Sequence, residues 1–488
     1  MAAHNTATNT RPLVAAVLSG LLPGLGQLLA GDKRRARTLF IIDLVILAIL
    51  AFFFRSKLSI LTAWIQPTSL TLMMIGNIML LGYRIWAASD AYTIAEGSDS
   101  RTAGPSRAIV LGGTIAIGIV LVTPHVVFGY FDVVQYDLIT SVFGSNTAAS
   151  SSSQAAPPAT DETGETIVPA QDSLTDETVV VTPGDPWDGV DRLNILLIGG
   201  DFGEGRTGIR TDTMITVSID PASGETAMFS VPRNWTYSPL PAGMGVWDCN
   251  CYPELINELW VAGEQYPDAF PGPGLPPENA VKGVISEFLG IPIHYYAMVN
   301  LDGFVDIVDA LGGVEIYVPT EVIDDEYPSE DGTTTEQISI QPGIQTLDGH
   351  LALAYSRSRH QDSDYFRMSR QRCVIEAMME QADPTDLLLN FGKFAEVIKE
   401  TMITDIPVET LPELVKILPM VDLENVVSIR FIPPEYHLKY RDDGKPGRIA
   451  NIDLVHEHVQ LVIDDPERAI VELGLESLDD LCAAPAGS

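Results

Sequence analysis

The sequence predicts an α/β domain, an α-β-α sandwich built on a mixed central sheet, preceded by a helical transmembrane region. Two observations predict this fold class. Long apolar runs are confined to the first 131 residues, and from about residue 190 onwards strand-like and helix-like segments alternate. Alternation of this kind is typical of a sheet covered by helices.

The apolar runs predict a membrane region in residues 1–131. Three of them have about the length that a bilayer span requires, roughly 17 to 25 residues. A fourth run, residues 13–31, is interrupted by Pro23, Gly24 and Gly26, so it either spans or dips in and returns. We therefore predict three or four hydrophobic helices; the three clear spans are residues 38–54, 58–86 and 108–131.

Basic residues beside the spans predict the orientation, because cytoplasmic loops carry an excess of Lys and Arg. Arg55 and Lys57 stand alone on one side. Two larger clusters lie on the other side: Lys33, Arg34, Arg35 and Arg37, then Arg84, Arg101 and Arg107. We expect a multi-pass cell-membrane protein whose chain after Tyr130 is extracellular. Four apolar runs in series do not resemble one cleaved signal peptide.

Composition divides the remainder of the chain. Residues 132–189 contain a long stretch of Ser, Thr, Ala, Pro and acidic residues without a helical period, which predicts a flexible linker. Residues 190–466 form the predicted globular domain. Residues 467–488 are the predicted loose tail.

Three strand-like segments open the globular domain. The apolar run "RLNILLIGGD" ends in glycines, and "DTMITVSID" and "TAMFSVPR" follow it, separated by the turn "PASGE". Consecutive antiparallel strands would bring the end of the first, the start of the second and the end of the third to one sheet edge. Four charged residues would therefore converge: Asp201, Arg210, Asp212 and Arg233.

This set of residue types points to phosphate chemistry. Two carboxylates at one edge suit a hard divalent cation such as Mg²⁺. Arginines beside them suit a phosphate-bearing substrate, because guanidinium groups bind phosphate oxygens in pairs. The alternative is purely structural, with Asp201 ending a strand and Asp212 capping a turn.

The segment "YSRSRHQDSDYFRMSRQR", residues 355–372, holds five arginines in a chain of net charge −36. After residue 131 the chain has 19 basic and 60 acidic residues, a net charge of −41. So acidic a surface repels nucleic acid, and a small compact anion is the better partner. The alternative is a solvated basic strip whose ion pairs contribute at most about 1 kcal/mol each.

Helical spacing predicts helices over residues 280–290 and 364–381, the second with Ser363 or Asp364 as its N-cap. Four cysteines do not make a disulfide framework. Cys249 and Cys251 are too close in sequence for a comfortable bond, so a bond from one of them to Cys373, or no bond, is equally expected. A lone "CNC" is poor evidence for zinc.

Several motifs of the globular domain together resemble the LytR-CpsA-Psr family. They keep the family's order and spacing from Leu193 to Ala382, and they are "NILLIGGD", "RTDTMITVSID", "FSVPRN", "LIN", "MVNLDGFVDIVDALGGVEI", "LDGHLALAYSRSR" and "DSDYFRMSRQR". The resemblance implies a membrane-anchored bacterial protein with an outer α/β sandwich. It also implies transfer of a glycopolymer from a polyprenyl pyrophosphate carrier at the lipid bilayer onto peptidoglycan, through a phosphodiester link.

The resemblance further implies site residues. Asp201 and Asp212 match aspartates that bind Mg²⁺, with Mn²⁺ as a possible substitute, and Asp364 matches an acidic residue that orients arginines. The positions that match pyrophosphate-binding residues are Arg210, Arg233, Arg357, Arg359, Arg367 and Gln371. Those expected to act in catalysis are Asp201, Asp212, Arg233, Arg357 and Arg359. Arg370 and Arg372 are expected on the solvated side of their helix.

Two positions depart from the family pattern: Leu255 stands where Lys is frequent, and Asn234 where Asp is usual. The sequence assigns no general base. Two rival functions stay open. One is a hydrolase of the same lipid-linked pyrophosphate, and the other is a non-catalytic membrane sensor that binds the lipid or the polymer.

Overall fold

The computed structural model describes most of the chain. The described residues are 11–53, 55, 62–97, 107–143, 190–201, 208–328, 334–358, 364–381, 391–417, 420–421, 426–441, 443–445, 447–475 and 482. The chain forms two units, Met1–Ile139 and Thr140–Ser488, and each is described by itself. The predicted linker lies outside the described residues from position 144 to position 189.

The first unit is helical. Its helices are α1 (Arg11–Leu21), α2 (Leu25–Leu29), α3 (Lys33–Phe53), α4 (Pro67–Gly97) and α5 (Arg107–Val142). The interrupted run at the start forms α1 and α2, neither long enough to cross a bilayer alone. Helices α1 and α2 pack closely at Gly26, where a Cβ would lie 2.0 Å from the Ala15 carbonyl oxygen. Only glycine fits at this position.

Two helical segments of this unit, Pro67–Gly97 and Gly118–Val142, are long and apolar enough to cross a membrane. They include most of the second and third predicted spans. This supports a membrane anchor by length and composition, while the number of crossings and the orientation stay predictions. Helix α5 continues to Val142, so the prediction that the linker begins at residue 132 is wrong. Its apolar period simply persists past Phe131.

The second unit is built on a six-stranded sheet in the order β12-β7-β1-β2-β3-β13. Its strands are β1 (Leu193–Asp201), β2 (Arg210–Ile219), β3 (Thr226–Ser230), β7 (Tyr295–Asn300), β12 (Met402–Thr404) and β13 (Val427–Arg430). The predicted antiparallel order of the first three strands is confirmed. Strand β7 runs parallel to β1 and β13 parallel to β3, so the sheet is mixed, as expected.

The remaining elements surround that sheet. The other strands are β4 (Trp235–Thr236), β5 (Ser238–Pro239), β6 (Cys251–Tyr252), β8 (Val314–Val318), β9 (Val322–Pro328), β10 (Thr335–Ile340), β11 (Gly343–Leu347), β14 (His437–Tyr440) and β15 (Arg448–Ala450). The helices are α6 (Leu259–Gln265), α7 (Pro276–Leu289), α8 (Leu301–Ala310), α9 (Gly349–Arg357), α10 (Asp364–Gln381), α11 (Phe391–Thr401), α12 (Leu411–Ile417), α13 (Ile452–Asp464) and α14 (Pro466–Leu473).

Helices cover both faces of the sheet. Successive side chains of a strand point to opposite faces, so one strand contributes residues to both cores. On one face, Met214 of β2 belongs to the main core together with residues of α7 and α13, such as Val284 and Val459. On the other face, Ile215 packs with Met228, and Ile375 of α10 lies against them. The predicted helices 280–290 and 364–381 therefore exist as α7 and α10, on opposite faces.

A smaller layer holds two elements that reach the candidate site. Strands β8 and β11 pair, β9 and β10 pair, and a second core joins them to α8, α9 and α10. Helix α9 begins where Asp348 Oδ1 accepts a hydrogen bond of 2.8 Å from the Leu351 N–H. It ends at Arg357, so this packing fixes the position of that arginine.

The C-terminal segment differs from the prediction of a loose tail. Residues Pro466–Leu473 form α14, with Asp465 as N-cap and Gly474 in the left-handed conformation after the last turn. Ala469 of this helix is fully buried in the main core. The sequence did not indicate this helix, because it is short and its charged face interrupts the apolar residues, so that no long apolar run appears.

All four cysteines are in disulfides, Cys249–Cys251 and Cys373–Cys482. The expectation that neighbours 249 and 251 do not pair is therefore wrong, as is a bond from either to Cys373. The chain turns between Cys249 and Cys251, which brings their Cα atoms to 5.1 Å, within the usual range for a disulfide.

The two disulfides should differ in their effect on stability, because they close loops of very different length. Cys373 and Cys482 are 109 residues apart, whereas Cys249 and Cys251 are separated by 2. We expect Cys373→Ser/Cys482→Ser to lower the free energy of unfolding by several kcal/mol, up to about 4 to 5 by loop entropy. Denaturant unfolding of the full chain in detergent measures it. Cys249→Ser/Cys251→Ser is the control, and equal losses would contradict the prediction.

Candidate functional site

A β-bulge places Asp212 at the edge of the sheet. Gly199 pairs with Thr213 and Gly200 with Thr211, so Asp212 is an extra residue on β2 without a residue opposite it on β1. Such a bulge redirects a side chain out of the regular alternation. The close pairing also requires a small residue on β1, because a Cβ at Gly199 would lie 3.0 Å from the Thr213 side chain.

The Asp212 carboxylate is held by two side chains. Arg233 Nη1 lies 2.8 Å from Asp212 Oδ1, and Asn257 Nδ2 donates to the same oxygen at 3.0 Å. Arg367 Nη2 donates to the Asp212 backbone carbonyl at 3.3 Å. Burial opposes ionisation of this carboxyl, but Arg233, Asn257 and Arg367 outweigh it and lower its pKa below the ordinary value. Asp212 is therefore ionised near neutral pH.

Three arginines that line one pocket with Asp212 come from three different elements. Arg233 follows β3, whose direction is continued by a Val231 N–H to Met214 carbonyl bond of 3.0 Å. Arg357 is the last residue of α9, and Arg367 lies in the first turns of α10, where it is 3% exposed. The position of each arginine is therefore fixed by the packing of a different element.

These residues line an open pocket of about 380 Å³. Six of its eight lining residues are charged, three of them arginines and three of them acidic. The lining residues are Asp212, Arg233, Asp324, Glu326, Tyr327, Pro328, Arg357 and Arg367. The arginines of the pocket can therefore bind an anion, and its carboxylates can bind a cation or accept a proton.

The other predicted residues have different positions. Asp201, the last residue of β1, lies directly across from Arg210 of β2, so the two meet near Asp212 at the sheet edge. Neither is among the described residues that line the pocket. Gln371 donates to the Ser356 carbonyl at 3.3 Å and lines a small crevice beside Asp212 and Arg367.

Two predicted residues cannot be placed. Arg359 lies outside the described residues. Asp364 begins helix α10, but its side chain lies outside the described part of the chain.

The chain as a whole can be compared with known proteins now that this geometry is defined. Residues 146–438, more than half of the chain, match the LytR_cpsA_psr family. The chain belongs to the LytR-CpsA-Psr family. Three motifs of this LytR-CpsA-Psr domain supply pocket residues: "RTDTMITVSID" supplies Asp212 on β2, "FSVPRN" supplies Arg233 after β3, and "DSDYFRMSRQR" supplies Arg367 on α10.

Several curated relatives carry transferase names. A polyisoprenyl-teichoic acid–peptidoglycan teichoic acid transferase TagU of Oceanobacillus iheyensis is 33% identical over 226 residues, 46% of this chain and 62% of that protein. The TagU of Bacillus subtilis is 28% identical over 223 residues, 45% of this chain and 62% of that protein. The chain thus spans less than two thirds of these relatives. The crystal structure of B. subtilis TagV is 24% identical with a TM-score of 0.42, covering 56% of this chain and 98% of that one.

Two arginines of this LytR-CpsA-Psr domain contradict the expectation that they are solvated. Arg370 is 8% exposed and Arg372 3% exposed. Arg370 Nε donates to the Tyr355 carbonyl at 2.6 Å, and its Nη2 donates to the Ser358 carbonyl. Arg372 bonds the Ser428 hydroxyl. Helix α10 is enclosed on several sides, so these charges satisfy neighbouring backbone and hydroxyl groups in place of water.

Sequence reasoning missed four residues of the site, Asn257 beside Asp212 and three that line the pocket. Asn257 was visible within the "LIN" motif, but nothing in the sequence indicated that its amide holds Asp212. Asp324, Glu326 and Tyr327 lie on β9 and line the pocket. Their signal, a run of acids before a tyrosine, is common in a chain with 65 acidic residues and does not stand out.

The lowered pKa of Asp212 should appear in the pH dependence of stability. A carboxyl whose folded pKa lies below its unfolded pKa stabilises the fold above the unfolded value, near 3.8. That stability is lost as pH falls through the folded pKa. We expect the free energy of unfolding of Asp212→Asn to decline less steeply than that of the parent chain below about pH 4.

Urea unfolding in detergent between neutral and acidic pH measures this slope. Asp325→Asn, on the exposed side of β9, is the control and should keep the parent slope. An unchanged slope in Asp212→Asn would show that Arg233 and Asn257 do not favour the ionised carboxylate.

Proposed function

We propose that this protein transfers a glycopolymer from a polyprenyl pyrophosphate carrier to peptidoglycan, forming a phosphodiester link in cell-wall assembly. One observation carries the proposal: three arginines, Arg233, Arg357 and Arg367, share a pocket with the ionised Asp212 in a LytR-CpsA-Psr domain. The names of the similar TagU proteins, which are teichoic acid transferases to peptidoglycan, support the same substrate classes.

The arginines fit a pyrophosphate better than they fit a structural role. A guanidinium group stays protonated and offers paired donors to phosphate oxygens. Arg233 is engaged with Asp212, whereas Arg357 and Arg367 enter the pocket from α9 and α10. We propose that these three, with Arg210, Arg359 and Gln371, hold the pyrophosphate, and that Asp364 orients the arginines.

We propose Mg²⁺, or Mn²⁺ in its place, as the cofactor, bound by Asp201 and Asp212. The donor set fits a hard cation. Both carboxylates lie at the ends of adjacent antiparallel strands, and the buried Asn257 Oδ1 accepts no hydrogen bond from any described residue. Such a cation, when bound, neutralises phosphate charge and stabilises the leaving phosphate.

The proposed reaction uses the chain's own residues for positioning. Arg233, Arg357 and Arg359 hold the phosphates in line with an attacking sugar hydroxyl of peptidoglycan. Asp201 and Asp212 supply the carboxylate oxygens that would bind the cation. Holding reactants in a productive geometry supplies a large part of such rate enhancements. We further propose that the helices of the first unit anchor the domain in the cell membrane with the transferase domain outside.

The arginine pocket can be tested directly by mutation. We expect Arg357→Ala to reduce transfer about 10²- to 10³-fold, because one preorganised cation is lost from the developing phosphate charge. The assay follows the full chain with a polyprenyl-pyrophosphate-linked oligosaccharide and peptidoglycan. Arg468→Ala is the control, since Arg468 lies on the surface of α14 paired with Glu472. Full transfer by Arg357→Ala would reject this role of the pocket.

The same assay separates the rival functions. Release of free glycan at the same rate with and without peptidoglycan would identify a hydrolase. Tight binding of the lipid-linked substrate without turnover would identify a sensor. Only a product covalently joined to peptidoglycan agrees with a transferase.

The cation requirement gives an independent test. We expect chelation by EDTA to abolish transfer and added Mg²⁺ or Mn²⁺ to restore it. Asp201→Asn and Asp212→Asn should raise the cation concentration needed for half-maximal activity, because each removes one charged ligand. Asp268→Asn is the control, because Asp268 is exposed and is not among the described residues that line the pocket. Full activity in EDTA would remove the cation from the proposal.

A further inference from the structure

Strand β9 contains a second bulge, beside the arginine pocket. Tyr327 pairs with Glu336 of β10, and Asp324 pairs with Ile338. Two residues of β9, Asp325 and Glu326, therefore oppose a single residue of β10, Gln337. A bulge of this kind releases the side chains from strict alternation.

The bulge turns three nearby side chains towards the pocket. Asp324, Glu326 and Tyr327 all line it, although regular alternation would send 326 and 327 to opposite faces. Asp325 is excluded from the lining and accepts a hydrogen bond of 2.7 Å from the Gln337 amide. Adjacent carboxylates of one strand are thus separated into one that faces the pocket and one that faces away.

Asp324 holds the bulge in place. Its side chain is buried, and its Oδ1 accepts from the Glu326 backbone N–H at 3.2 Å. Its Oδ2 accepts from the Ser358 hydroxyl at 2.9 Å, immediately after Arg357 at the end of α9. Both oxygens of Asp324 are therefore engaged, and they connect the position of Glu326 to the position of Arg357.

The other charged and titratable groups of the pocket are poor proton acceptors. Arginines stay protonated. Burial raises the pKa of Tyr327, with Arg357 opposing it in part, so its hydroxyl stays protonated as well. The Asp212 carboxylate is already held at Oδ1 by Arg233 Nη1 at 2.8 Å and by Asn257 Nδ2 at 3.0 Å.

Among the described lining residues this leaves the exposed carboxylate of Glu326. It shares the pocket with Arg357 and Arg367, where the phosphates are proposed to bind, and solvent reaches it. Across from Tyr327 lies Glu336 of β10, whose Oε1 is 3.2 Å from Nε2 of His350 on α9. A general base needs this combination of access to the acceptor and freedom from a fixed ion pair.

We propose that Glu326 is the general base that takes the proton of the acceptor sugar hydroxyl. This rests on the proposed transferase function. The acceptor oxygen forms a bond to the glycan-bearing phosphorus as its proton passes to the Glu326 carboxylate. The bond from that phosphorus to the bridging oxygen breaks, and polyprenyl phosphate leaves with the electron pair. Glu326 then releases its proton to solvent.

The test compares Glu326→Gln with Asp325→Asn in the full chain. Both changes remove one negative charge from neighbouring positions of β9, but only the first removes the proposed base. We expect Glu326→Gln to lower kcat about 10²- to 10⁴-fold and to lose the acidic limb of the pH–rate profile. Binding of a short polyprenyl-pyrophosphate disaccharide should stay at the parent value. Glu326→Asp should retain part of the activity, and Asp325→Asn nearly all of it.

The outcomes separate this assignment from the function on which it rests. A parent chain that makes no peptidoglycan-linked product overturns the transferase proposal, and the assignment with it. Normal transfer by the parent chain and near-normal transfer by Glu326→Gln overturn the assignment alone. Loss of disaccharide binding in Glu326→Gln would also overturn it, since Glu326 would then be a residue for donor binding.

Discussion

The ion pair between Asp212 and Arg233 is the contact on which the candidate site depends. It joins a bulged residue of β2 to the residue that follows β3, and its 2.8 Å separation fixes both charges at one sheet edge. Asn257 and Arg367 add hydrogen bonds to the same aspartate. Burying an ionised carboxylate without partners would cost free energy. The surrounding donors offset that cost and also determine the orientation of the Asp212 side chain.

Much of this arrangement could be predicted from the sequence. Apolar alternation and the turn "PASGE" were sufficient for the antiparallel order of β1, β2 and β3, and hence for Asp201, Arg210 and Asp212 at one edge. The bulges were not predictable, because a bulge is a relation between two strands and the pattern of one strand does not contain it. This is why the orientation of Asp212, and the whole contribution of β9, required the structure.

The positions of charged residues were harder to predict from the sequence than the positions of strands and helices. Some charged residues expected in solvent are buried, and one that lines the pocket was not noticed. Arg370 and Arg372 were expected in solvent, yet helix α10 is covered so fully that they bond carbonyl and hydroxyl groups inside the domain. The role proposed for Glu326 was missed for the opposite reason, since nothing in the sequence distinguishes it from the other acidic residues, 65 in all. The Cys373–Cys482 bond joins positions 109 residues apart, and sequence alone cannot specify such a pairing.

The strong acidity of the chain after residue 131 is compatible with the proposed binding of a phosphate in the pocket. At physiological ionic strength the Debye length is about 8 Å, so charges beyond the pocket are largely screened from a ligand inside it. Inside the pocket, Arg233, Arg357 and Arg367 are the cationic groups that a phosphate would contact. For the proposed substrate, the carboxylates outside the pocket would repel an anionic polymer from the rest of the surface. The pyrophosphate end, at the pocket, would then be the favourable point of contact.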